Sequence, residues 1–170
     1  MVRESHESSR AEVYEGEWAH GVKHGEGEYT WPNGDVYRGG WQNGRRNGHG
    51  MLRNFTGELY DGKWVGDVRC GEGMHQSAVG DTYKGQFFEN CKSGRGKCTY
   101  VDGSFYEGQW RDGQQHGRGR YENEGAEMGA EVYDGSWSLG QRHGDGHHEL
   151  AGDVYEGAFH AGEMADEDGC

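Results

Sequence analysis

The stretch Tyr106 to Tyr121, YEGQWRDGQQHGRGRY, decides the fold, because six other segments of the chain are imperfect copies of it. Tyrosines at 14, 37, 60, 83, 106, 133 and 155 are spaced 23, 23, 23, 23, 27 and 22 residues apart. Two residues after each stands a glycine, from Gly16 and Gly39 to Gly135 and Gly157, and two further on stands a large aromatic. That aromatic set is Trp18, Trp41, Trp64, Phe87, Trp110, Trp137 and Phe159. A Gly-x-Gly pair follows in six copies, from Gly25 and Gly27 to Gly144 and Gly146, and one more glycine precedes each next tyrosine. Self-similarity at a fixed period means that one supersecondary unit is stacked along the chain.

Within a unit the period is two. In VYEGEW, Tyr14, Gly16 and Trp18 fall on one face of a strand, with Val13, Glu15 and Glu17 on the other. The second limb, GEGEYTW, aligns Gly25, Gly27, Tyr29 and Trp31 in the same way, so the limbs are expected to pair as an antiparallel hairpin. The expected register sets Tyr14 against Tyr29, Gly16 against Gly27 and Trp18 against Gly25. Rings then fill the space that the strand glycines leave open. The slot three residues after each Trp or Phe reads Gly21, Gly44, Asp67, Asn90, Gly113, Gly140 and Gly162, the residue types that tolerate positive φ. The return connections, such as PNGDV and VDGSF, carry Asn-Gly or Asp-Gly and read as tight turns. The fold class expected is therefore all-β: an elongated, single-layer antiparallel meander of 23-residue hairpins, about 13 strands in all.

Three places depart from regularity. In the third repeat His75, Gln76 and Ser77 replace aromatics; the fifth carries an insertion, NEGAEMGAE; the seventh ends after Phe159 without a Gly-x-Gly limb. Residues 1–11 read as a flexible leader, 12–162 as the array and 163–170 as an acidic tail. The strand Val154 to Phe159, lacking a return limb, is expected to expose an unpaired edge, which either invites strand addition by another chain or a second copy or is blunted by the repulsion of Glu163, Asp166, Glu167 and Asp168.

Composition bounds the function. Hydrophobic residues make up 31% of the chain and glycine fills 34 positions, so the core must come from the aromatic 12%, held in strict register. The net charge of −13 argues against nucleic acid and against broad attraction to anionic membranes. No apolar run is long enough to span a bilayer, and MVRESHESSR lacks a signal region, so a cytoplasmic protein is expected. Cys70, Cys91, Cys98 and Cys170 show no paired framework and read as reduced thiols.

Catalytic and metal readings are weak. His24, His116 and His143 share one repeat position, but adjacent repeats are about 9–10 Å apart at the usual strand spacing, too far for shared ligation. His147 and His148 read as packing residues. The glycines of HGRG lack a Lys-Ser/Thr and a following helix, so they make no phosphate loop. Cys91 and Cys98 have no nucleophile constellation around them, and a single-layer sheet offers carboxylates little desolvation. No enzyme, cofactor or metal is expected. One row stands out: Lys23, Arg45, Arg46, Arg69, Lys92 and Arg142 precede the Gly-x-Gly pairs, broken at Gln115, and read either as solvated turn residues or as a contact edge for an acidic partner. The tyrosines Tyr14, Tyr37, Tyr60, Tyr83, Tyr106, Tyr133 and Tyr155, with the seven Trp and Phe residues above, read as a structural ladder first and a partner-binding groove second.

The plan Tyr-x-Gly-x-Trp followed by Gly-x-Gly resembles the MORN repeat (membrane occupation and recognition nexus), from about Glu12 to Gly162. That family includes radial-spoke head components, junctophilins, alsin, plant phosphatidylinositol-phosphate kinases and parasite cytoskeletal scaffolds. The resemblance implies a twisted single-layer sheet with an aromatic-lined groove and implies no reaction. It points to a scaffold in a ciliary, flagellar or other cytoskeletal assembly whose partners are other proteins, with phosphoinositide binding as the alternative.

Overall fold

The computed structural model describes residues 11–125 and 129–164. The leader expected over residues 1–11 and the tail expected over 163–170 lie, apart from Ala11, Glu163 and Met164, outside the described residues. Seven hairpins follow one another: β1 (Val13–Ala19) with β2 (Val22–Thr30), β3 (Val36–Gln42) with β4 (Arg45–Arg53), β5 (Leu59–Val65) with β6 (Val68–Gln76), and β7 (Thr82–Phe88) with β8 (Cys91–Thr99). Then come β9 (Phe105–Arg111) with β10 (Gln114–Asn123), β11 (Glu131–Ser138) with β12 (Gln141–Leu150), and β13 (Asp153–His160) with β14 (Glu163–Met164). All lie in one 14-stranded sheet in sequence order, each strand pairing antiparallel with its neighbours. No helix occurs among the described residues.

The register confirms two of the three expected pairings and corrects the third. Tyr14 faces Tyr29 and Gly16 faces Gly27, but Trp18 faces Lys23. Gly25 instead faces Trp41 of the next hairpin. The cause is a bulge: between those pairs β1 supplies only Glu17 while β2 supplies His24 to Glu26, and Gly25 turns left-handed at φ +59° to absorb the excess. The two glycines of each Gly-x-Gly thus answer different demands. The first permits the bulge; the second leaves room for a ring, since a Cβ on Gly27 would lie 2.4 Å from the Tyr14 Oη.

The hairpin turns keep the expected left-handed slot in every copy, from Gly21 (φ 78°) through Asp67 (φ 74°) and Asn90 (φ 69°) to Gly162 (φ 91°). The residue before each is left-handed too, including His20, Glu89 and Leu139, so both central positions have positive φ, as in a type I′ turn. The first four return connections take a different form, whereas the last, Ala151–Gly152 between the paired Leu150 and Asp153, again has positive φ at both central positions. In the first, Gly34 N–H donates to the Trp31 carbonyl and Trp31 N–H to the Asp35 carbonyl, with only Gly34 of the loop left-handed. This is the three-residue loop with a glycine bulge.

The insertion in repeat five lengthens strands as well as the loop. Pairing between β10 and β11 runs from Gly117↔Trp137 out to Asn123↔Glu131. At the C-terminal end the expected bare edge is corrected, because β14 pairs Met164 with Phe159 and Glu163 with His160. The seventh copy therefore begins a return limb, and the described residues form 14 strands.

Candidate functional site

The aromatic face is a closed ladder. Each tyrosine ring meets the Trp or Phe of its own hairpin edge-on, with centroids 5.1 to 5.3 Å apart. The first six also meet the Trp or Phe of the next hairpin at 4.9 to 5.6 Å. Edge-to-face contacts of this kind add about 0.5–1.5 kcal/mol each beyond the area they bury. Polar tips are spent inside the sheet. Every ladder tyrosine hydroxyl donates to the carbonyl three residues on, as Tyr106 does to Gln109 at 2.8 Å. Trp41, Trp64, Trp110 and Trp137 donate Nε1–H to the carbonyl of the second glycine of the preceding hairpin, Gly27, Gly50, Gly96 and Gly119.

Tyr37, Tyr60, Tyr83, Tyr106 and Tyr133 are consequently buried, as are Trp41, Trp64, Phe87, Trp110, Trp137 and Phe159. Burial pushes the tyrosine hydroxyls up, that of Tyr60 to about 12 and those of Tyr37, Tyr83 and Tyr106 beyond it. Tyr14 and Tyr155, in the terminal hairpins, are half-buried. Trp18 lies in the first described hairpin, where no tyrosine of an earlier described hairpin covers it, and is 59% exposed. Rings that the sequence allowed to line a groove are thus mostly consumed as structure.

The basic row also sits elsewhere than an edge. Lys23, Arg46, Arg69, Lys92 and Arg142 each lie opposite the Trp or Phe of their own hairpin and reach over the rings. The Lys23 ammonium is 3.7 Å from the Tyr29 centroid, the Arg46 guanidinium 4.2 Å from Trp64, Lys92 4.9 Å from Trp110 and Arg142 4.9 Å from Tyr133. All five are half-buried, and burial pulls the Lys23 ammonium below its ordinary value. Their carbonyls accept the N–H of the left-handed turn residue in the next hairpin, as Lys23 does from Gly44 at 2.9 Å. Such cations stabilise the ladder by cation–π contact and by covering it. Arg45 alone of the six is exposed. Where the row breaks, Gln115 donates to the Tyr100 hydroxyl at 3.1 Å.

Other side chains singled out in the sequence are packing residues. His75, standing where the first and fifth repeats place a tyrosine, is bound to Glu58 at 2.6 Å. His148 contacts Glu131 at 2.9 Å on the aromatic face, while its neighbour His147 contacts Glu156 at 3.1 Å on the opposite one. Burial works against ionisation of Glu131, but its hydrogen bonds from Arg142 and His148 win and hold its carboxyl below the usual range. The buried Cys98 thiol is pushed up by desolvation, with Lys92 opposing, so it stays a protonated packing group.

The second face went unread as a surface. Because side chains alternate, the residue after each tyrosine and the middle residue of each Gly-x-Gly point away from the rings. This face carries Glu15, Glu17, Glu26 and Glu28 near its start and Lys84, Arg95, Lys97, Arg118 and Arg120 at its centre. The ladder glycines between these two rows have their side-chain positions turned to the rings, so backbone lies between the rows on this face.

Taken together, the fold defines a single-layer β-hairpin repeat array whose rings close one face and whose charges open the other. The family model for the MORN repeat matches residues 14–36, 37–57, 60–82, 83–105, 106–123 and 133–148, more than half of the chain. The chain belongs to the MORN-repeat family. MORN repeats are generally protein- or lipid-interaction modules. No curated protein matches the chain.

Proposed function

We propose that the chain is a non-catalytic protein-protein interaction scaffold, a subunit of a ciliary, axonemal or other cytoskeletal assembly in the cytoplasm. The observation that supports this reading is the division of labour between faces. Ring after ring is buried in holding successive hairpins together, while the opposite face of the same strands displays charged, exposed side chains at regular intervals. A long surface with one rigid spacing suits the holding of partners along its length. The ciliary placement rests on the family resemblance alone.

Phosphoinositide binding is the second reading, and the exposed cations at the centre of the charged face favour it. Against it stand the net charge of −13 and the carboxylates on the same face, which weaken attraction to an anionic bilayer. Affinity capture from native cells followed by mass spectrometry tests the scaffold: a reproducible set of stoichiometric cytoskeletal partners is expected. Sedimentation with phosphatidylinositol-phosphate vesicles at physiological salt should bring down no appreciable protein. Strong, salt-sensitive co-sedimentation without protein partners would reverse the assignment.

A further inference from the structure

Six exposed cations, Lys63, Lys84, Arg95, Lys97, Arg118 and Arg120, gather on the charged face of repeats three to five, in a chain that carries −13 overall. The densest part is a groove of about 730 Å³. Its floor includes the backbone of Gly85, Gly96 and Gly108, whose side-chain positions are turned to the rings on the other face, so that the outward side chains to either side of them form two rims. Lys84 and Lys97 stand on one rim; Arg95 and Arg118 on the other. Glu72 and Glu107 are the acidic residues lining it.

Most of these cations are unspent. Lys97 lies 3.7 Å from Glu107 and Arg120 lies 2.8 Å from Glu122. No ion pair reaches Lys84, Arg95 or Arg118 among the described residues. The groove rims are also stiff. Gln86 and Gln109 fold their side-chain carbonyls onto the backbone N–H groups of Arg95 and Arg118 at 3.0 and 2.8 Å, which fixes the bulges from which both arginines project.

We propose that this groove across repeats four and five seats an extended acidic segment of a partner protein. The proposal rests on the scaffold reading and names the surface and the partner chemistry. From β7 to β10 the trough spans three strand spacings, about 14 Å, which matches four or five extended residues. A segment lying over the glycines brings its carboxylates between the two cationic rims, where arginine offers bidentate geometry. A bilayer fits less well. The acidic start of the face (Glu15, Glu17, Glu26, Glu28) and its acidic end (Asp134, Asp145, Glu156) flank the cations, so a flat anionic surface would meet carboxylates on both sides.

The test uses the full chain and a fluorescein-labelled hexaglutamate peptide, followed by anisotropy at low and physiological salt. The double variant Arg95→Gln, Arg118→Gln should bind about tenfold more weakly, two charge contacts' worth. The control Arg45→Gln, Arg53→Gln removes the same charge from exposed sites outside the groove and should bind as the wild type does. Unchanged unfolding temperatures in both variants show that the fold is intact, as expected for exposed positions. Equal weakening in both, or no peptide binding by the wild type, overturns the proposal. So does tighter binding to phosphatidylserine vesicles than to the peptide, lost with Arg95 and Arg118, because the groove would then read membranes. Capture from native cells separates the two levels. If the groove variant retains every wild-type partner, the groove assignment fails and the scaffold stands; if the wild type itself captures none, the scaffold fails.

Discussion

Trp110 shows what one ladder residue does. Its ring lies 5.2 Å from Tyr106 in its own hairpin and 5.2 Å from Tyr83 in the preceding one, and its Nε1–H reaches the Gly96 carbonyl at 3.0 Å. Replacing it with Ala should cost about 3–5 kcal/mol and lower the unfolding temperature accordingly, read by thermal denaturation. An unchanged unfolding temperature would mean that the ring carries no packing. The tyrosines make a second prediction, in alkali. Their folded ionisation lies above the free value, so the native chain keeps protons that the unfolded chain releases. Stability should hold below about pH 10 and fall as pH rises towards 12 and beyond. Absorbance of tyrosinate against pH, with unfolding followed in parallel, checks this: early, reversible ionisation of all tyrosines without unfolding would contradict it. The spacing of Tyr106 and Trp110 alone placed these rings on one face. Where Trp110 rests was not legible, because the bulge moves its contact from its own Gly-x-Gly to the glycine of the previous hairpin, and bulges leave no mark on period-two alternation.

At the scale of the hairpin, the turn chemistry was readable in one slot and hidden in the next. Gly113, Asp67 and Asn90 announce positive φ by type. The residue before the slot announces it only in Asn43, Gly66 and Asp112; in the other four turns His20, Glu89, Leu139 and Ala161 are left-handed without being of a type that favours it. Leu139 stands at φ 50° with 73% of its surface exposed, gaining little from packing while bearing left-handed strain. Leu139→Asn should therefore stabilise the chain by about 1 kcal/mol, measured as a higher denaturation midpoint. A lower midpoint would show that the leucine packs where the structure leaves it open. β14 was missed for a related reason. Glu163 and Met164 carry neither ring nor glycine and are recruited by backbone pairing to Phe159 and His160 alone.

Across the whole molecule, the rings and the charges divide the work of the sheet. A net charge of −13 hides a basic centre on the charged face, because composition averages over surfaces that the alternation of a strand keeps apart. The basic row visible in the sequence turned out to cover the ladder, and the exposed cations came from positions that look unremarkable in each repeat. The fold was legible because its period is strict. The surface was not, because each repeat fills its outward positions differently. The account stands on the ladder being internal to the array, and oxidation of tryptophan by N-bromosuccinimide, mapped residue by residue with mass spectrometry, tests that directly. Trp18, 59% exposed at the start of the ladder, should react first, whereas Trp41, Trp64, Trp110 and Trp137, each at most 7% exposed, should react only as the chain unfolds. Reaction of those four at the rate of Trp18 in the folded protein would show an open aromatic groove and contradict the account.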